Sequence, residues 1–173
     1  MRIPDNRTAF LALHEAYGNN DDDGRLLPLV REVKARRHLT PPELEALCRW
    51  KSARPLPLIR SNSPAEVEDI TRWVFATSVE RVRIEALLLL RGVSWPMASA
   101  VLHWFHPDPY PVLDVRALWS LGHSVPSSYS FPFWWDYVVA CRSLARRFRL
   151  PMRTVDRALW QYSKANGGPG TAA

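Results

Sequence analysis

LLLLRGVSWPMASAVLHWFHPDPYPVLDVRALWSL, residues 87–121, is the stretch that decides the fold. Four leucines run into Arg91-Gly92-Val93-Ser94, where Gly92 permits a tight turn. The segment from Trp95 to Phe105 is hydrophobic almost all round, which predicts a central helix. Pro107, Pro109 and Pro111 exclude a helix over residues 106–113. Asp114 then precedes Val115–Leu121, a short helix that Gly122 stops. Two helices thus flank a glycine turn, and a proline-rich loop leads to an Asp that opens a third.

The flanks continue the helical pattern, with seven or eight helices and no convincing strand. Residues 6–17 carry Phe10, Leu11 and Leu13 on an amphipathic helix. A basic helix is expected over 25–37, after a polar loop over 19–24. The spacing Asn19, Asp21, Asp23, Gly24 resembles the start of a calcium loop. The twelfth position is Val30, where a bidentate Glu is needed, so that site is rejected. Thr40 with Glu43, and Ser63 with Glu66, read as capping boxes opening helices that run to about Trp50 and Ala76. Residues 51–62 read as an ordered loop. Ser78 is expected to cap a helix that aligns Val79, Val82, Ala86 and Leu89. After a loop over 124–133, Trp134, Tyr137, Val138, Cys141 and Phe148 share one face of a long helix, with Arg142, Arg146 and Arg149 opposite. Pro151 breaks the chain before a last helix with Val155, Leu159 and Tyr162. The fold expected is all-α: one compact multi-helix bundle over residues 1–166, its helix–hairpin–helix core at about 79–121, and a flexible tail over 167–173.

Composition narrows the function. The chain has 173 residues, 47% of them hydrophobic, enough for one well-cored domain and against general disorder. Most of the eight tryptophans are expected in the core. A net charge of +6 raises the odds of an anionic partner, nucleic acid first. Cys48 and Cys141, far apart in apolar patterns, read as buried small hydrophobes. Two cysteines exclude a four-thiolate iron–sulfur cluster. His103 and His106 lack a third ligand at metal spacing, so neither a metal site nor any cofactor is expected. The amino-terminal ten residues lack a signal pattern, and no apolar run reaches membrane-spanning length. The expected home is the cytoplasm, at the nucleoid when bound to DNA.

A helix–hairpin–helix can present backbone N–H groups outward and hold a phosphate without regard to base identity. A plain hairpin between two core helices fits Gly-Val-Ser as well. Likewise, Asp114 is an excellent N-cap whatever else it does.

Leu90-Arg91-Gly92-Val93-Ser94, then Ala98-Ser99-Ala100, the proline loop, and Leu113-Asp114-Val115-Arg116 together resemble the helix–hairpin–helix DNA glycosylase superfamily. That superfamily includes endonuclease III and the 8-oxoguanine and 3-methyladenine glycosylases. The resemblance implies a double-stranded DNA partner and excision of an altered or mismatched base extruded from the stack. It makes Asp114 the catalytic carboxylate, placed to stabilise an oxocarbenium-like sugar. The Gly92–Ser94 amides become the backbone clamp, flanked by Arg91 and Arg116. Ser94 departs from the family's second hairpin glycine. Pro96 stands where lyase-active members carry a lysine, so the resemblance implies a monofunctional enzyme. The alternative is a non-enzymatic DNA-binding protein that has lost the base pocket. Further phosphate contacts are assigned to Arg142, Arg146 and Arg149, and to Lys51 in the loop over residues 51–62. Trp135 and Trp95 are the candidates to line a base pocket.

Overall fold

The computed structural model describes residues 1–18 and 21–170. Asn19 and residues 171–173 of the tail lie outside the described residues. Ten α-helical segments and one 3₁₀ turn are found, and no strand among the described residues. The chain groups into two compact units, one from residues 1–20 and 110–173, the other from 21–109.

The first unit contains α1 (Arg7–Tyr17), α8 (Val115–Leu121), α9 (Phe131–Phe148) and α10 (Met152–Ala165), with α10 packed on the other three. Its core joins Phe10, Leu118, Trp134, Tyr137, Val138, Cys141, Val155 and Leu159, all buried. The apolar face expected for α9 is thus the buried one. An extended segment, Tyr110–Leu113, also lies inside this core. Extended backbone has no helical partners, so its polar groups need side chains. Asp156 accepts the Val112 N–H at 3.2 Å, and the Tyr137 hydroxyl donates to the Val112 carbonyl at 2.8 Å. Arg153 in turn pairs with Asp156 at 2.5 Å. The Ser120 hydroxyl donates to Leu159 O at 2.6 Å and ties α8 to α10.

The second unit holds a 3₁₀ turn (Asp21–Arg25), α2 (Leu27–Arg36), α3 (Pro41–Lys51), α4 (Leu56–Ile59), α5 (Pro64–Ala76), α6 (Glu80–Leu87) and α7 (Trp95–Phe105). As the hydrophobicity of α7 demands, Met97, Ala98, Ala100, Val101, Leu102 and Phe105 are buried, and α7 packs on α2, α3 and α6. Both capping boxes form, at Thr40 with Glu43 and at Ser63 with Glu66.

Four local expectations are corrected. Residues 56–59 make a helical turn, because Pro57 falls in its first turn, where a missing N–H costs nothing. The polar stretch after Asn20 coils as 3₁₀, with Asp23 accepting the Trp50 indole N–H at 3.1 Å. Helix α9 starts at Phe131, three residues before Trp134. Ser78 does not cap α6: Val79 is the N-cap, its N–H bonded to the Thr77 hydroxyl, while the buried Arg83 guanidinium donates to the Thr77 carbonyl. The buried face of α6 is accordingly Arg83, Ile84, Ala86 and Leu87, whereas Val79 and Leu89 are 53% and 69% exposed.

The turn between α6 and α7 is pinned from α4. Gly92 has φ +82°, and a Cβ there would sit 3.0 Å from Leu58 Cβ, 3.1 Å from Ile59 N and 3.1 Å from Pro55 O. Buried Asn62 closes the contact: its Oδ1 accepts Arg91 N–H at 2.8 Å, and its Nδ2 donates to Arg91 O at 3.0 Å and to Ile59 O at 2.8 Å. Gly92→Ala therefore meets both a disfavoured φ and backbone atoms, and Asn62→Ala leaves the part-buried backbone groups of Arg91 without their side-chain partner. Each is expected to cost roughly 1–3 kcal/mol in urea unfolding, while Leu89→Ala stays within about 0.5 kcal/mol. Equal stabilities for all three variants would refute this account of the turn.

Candidate nucleic-acid interface and the Asp114 site

The candidate interface of the second unit lies where α7 begins. Gly92 turns the chain, Val93 tucks in with its N–H on Leu90 O, and Ser94 takes the N-cap position. The Ser94 side chain makes no capping hydrogen bond and is exposed. The amides of Ser94, Trp95 and Met97 have no hydrogen-bond partner among the described residues, and Pro96 has no N–H to offer. Three unbonded donors thus stand at the positive end of an eleven-residue helix, with Met97 itself buried.

Arg91, beside this turn, is exposed and bound to Glu66 at 2.9 Å. The Ser63 amide and hydroxyl, together with Arg91, hold the Glu66 carboxyl below its usual range. Arg91 is thus engaged in a surface pair. Lys51 ends α3 and is not in the following loop. Trp95 is half-buried at the first position of α7.

Asp114 sits in the first unit, after the clamped segment Tyr110–Leu113. It is half-buried, and its Oδ1 accepts Arg116 N–H at 2.9 Å as the N-cap of α8. Burial and then the Asp114 charge raise the Tyr129 phenol above its ordinary value. Tyr129 was missed in the sequence because nothing local links it to Asp114. Arg116 follows on the same turn, its guanidinium 5.1 Å from the Trp160 ring centre.

The arginines of α9 do not form one solvated stripe. Arg142 is half-buried, 4.5 Å from the Tyr110 ring and 5.4 Å from that of Trp135. Arg146 is exposed on the last turn, and Arg149 is the exposed C-cap at φ +52°. Trp134 is fully buried; Trp135 is half-buried, stacked on Phe131 with ring centres 6.1 Å apart and an 18° tilt. That indole is already engaged by Phe131 and Arg142.

A second cationic–aromatic group, not singled out in the sequence, lies along α10. Arg153 and Arg157 lie 5.9 and 5.2 Å from the Tyr17 ring, and Lys164 lies 5.3 Å from that of Trp160. The spacing 153, 157, 160, 164 is a single helical stripe, the signal that could have found it. Histidine and cysteine chemistry adds little. Among the described residues no group of three potential metal ligands gathers. His106 Nδ1 accepts Asp108 N–H at 3.0 Å. Both cysteines are buried and unbridged, and burial raises both thiols. Among the described residues no helix is long and apolar enough to cross a membrane.

Comparison with protein-family models, with curated proteins and with solved structures finds no match to this chain.

His14, on α1, reports the local field. Burial first, then Arg157 and Arg153, lower its pKa below the ordinary 6.5, opposed by Glu15. Its Nδ1 is buried without a hydrogen-bond partner. A lowered histidine pKa means the unfolded chain takes up the proton more readily, so this contribution to stability is present above about pH 6.5 and lost as pH falls below it. Thermal melts at about pH 7.5 and 5.5 are expected to show a smaller acid-side loss for His14→Gln than for the native chain. An identical loss in both would remove His14 from the account.

Proposed function

We propose that this protein grips the DNA sugar–phosphate backbone through the Gly92–Met97 turn and acts as a monofunctional N-glycosylase of the helix–hairpin–helix kind on an altered or mismatched base. The observation that carries the reading is the start of α7, where a positive-φ glycine is pinned by Asn62 and the following amides lack a side-chain cap. Such a site holds phosphate oxygens on any sequence, with net positive charge adding a salt-dependent attraction. In this reading Asp114 stabilises the developing sugar cation. Pro96, at the position of the lyase lysine, leaves no amine there for a Schiff base, so the product is an intact strand with an abasic site.

Ser94→Asp tests the clamp. A carboxylate is a good N-cap, so stability holds or rises, yet its charge repels a phosphate. DNA affinity is expected to fall by about tenfold or more, as read by fluorescence anisotropy at low salt. Unchanged affinity, or native binding that ignores salt, would sink the clamp.

A second reading keeps DNA binding and drops catalysis. It is favoured by the hydrogen bond from Arg116 N–H to Asp114, which by itself accounts for an aspartate at that position. Asp114→Asn separates the two. Asn caps about as well as Asp, so the melting temperature stays near native, within roughly 1 kcal/mol of stability. Over a panel of alkylated, oxidised and deaminated bases, the glycosylase predicts excision slowed by orders of magnitude with DNA binding retained. Equal excision by native and variant would make Asp114 a cap alone.

A further inference from the structure

The unit of residues 21–109 contains a cavity of about 250 Å³, lined by Lys34, Arg37, Phe75, Phe105 and Pro107. Three elements build it: the end of α2, the end of α5 and the chain leaving α7. Its apolar part is set by the core. Phe75 is 7% and Phe105 1% exposed. The His106 imidazole packs edge-on against Phe75, ring centres 6.3 Å apart. Its polar part is cationic and exposed, from Lys34 and Arg37.

Those two cations differ from several of their neighbours, though not from Arg31 on the same helix. Arg36 pairs with Glu43, Arg72 with Asp69 and Glu68, and His38 lies 3.9 Å from Glu68. Lys34 and Arg37 have no acidic partner among the described residues. The backbone adds a second observation. Arg37 is the C-cap of α2 at φ +63°, a left-handed position that favours glycine. An arginine there accepts backbone strain at the rim of the cavity.

We propose that this cavity binds a small anion with a flat apolar body, an aryl carboxylate or an aryl phosphate monoester. The ring system lies against Pro107 and the exposed edge of Phe75, over buried Phe105, and Lys34 and Arg37 hold the anionic group. The volume is below the roughly 300–1,000 Å³ of sites for drug-sized ligands, which suits a single ring system. Aromatic walls favour a flat ring over an alkyl chain. Two unpartnered cations favour an anion over its neutral isostere, and Arg donates two parallel N–H bonds to a carboxylate or phosphate. The site is independent of the DNA reading, since it uses none of the residues of the α7 start or of Asp114.

The test titrates the full chain with three probes that share one ring system: 2-naphthoate, 2-naphthyl phosphate and neutral 2-naphthamide. Binding is read by calorimetry and by chemical-shift changes at Phe75 and Phe105. One or both anions are expected to bind about tenfold more tightly than the amide, the value of a solvent-screened charge-assisted contact. The tighter of the two anions identifies the headgroup. Lys34→Gln combined with Arg37→Gln changes only exposed side chains and should abolish the preference while leaving the melting temperature near native. Phe75→Leu should weaken all three probes alike. The proposal is overturned if no probe binds, if the amide binds as well as both anions, or if the double variant keeps the preference.

Discussion

A buried stretch of extended backbone is the constraint around which the first unit is organised. Three prolines keep residues 107–113 out of a helix, yet Tyr110, Pro111, Val112 and Leu113 are all buried. Leaving one buried peptide group unbonded costs on the order of 1–3 kcal/mol, so side chains from elsewhere must reach it. Asp156 on α10 and Tyr137 on α9 meet the two polar groups of Val112. Burial places Asp156 at risk as an unpaired charge, and Arg153 answers it. The carboxylate of Asp114 owes its position to this arrangement, because the clamped segment delivers it to the start of α8.

In the second unit a comparable role falls to one amide side chain. Asn62 uses both ends of its amide to bind both backbone groups of Arg91. Gly92 can then lie against Pro55, Leu58 and Ile59 with no Cβ to hold them apart. A turn fixed from below in this way leaves its outer amides in place without a side-chain cap, the pre-organisation that anion binding requires.

The basic character of the chain is spent unevenly. Arg142, Arg116 and Lys164 lie over aromatic rings, and Arg91 shares its charge with Glu66. Such contacts are worth about 0.5–1 kcal/mol each at exposed sites and hold long side chains in defined places. A formal charge of +6 is therefore not a count of phosphate contacts. Lys34 and Arg37 stand apart because their charge is unpaired beside an apolar cavity.

What the sequence determined is local. Proline and glycine punctuation set Trp95–Phe105, Val115–Leu121 and the loop between them, since those residues act on their own backbone. The two capping boxes and the buried face of α9 were legible for the same reason: spacing along one helix carries them. The start of α6 and the helical turn at 56–59 were not legible. Buried Arg83 and Thr77 moved the first away from Ser78, and two prolines masked the second. For the candidate sites, the sequence marked Gly92 and Asp114 but gave no sign of Asn62, Tyr129 or the partners of Val112. It also offered Arg142, Arg146 and Arg149 as one stripe, and only packing showed Arg142 over Tyr110 and Trp135 with Arg149 turned into a cap. Lys34 and Arg37 joined Phe75 and Phe105 only through tertiary structure, because a cavity between the ends of three elements has no period along the chain.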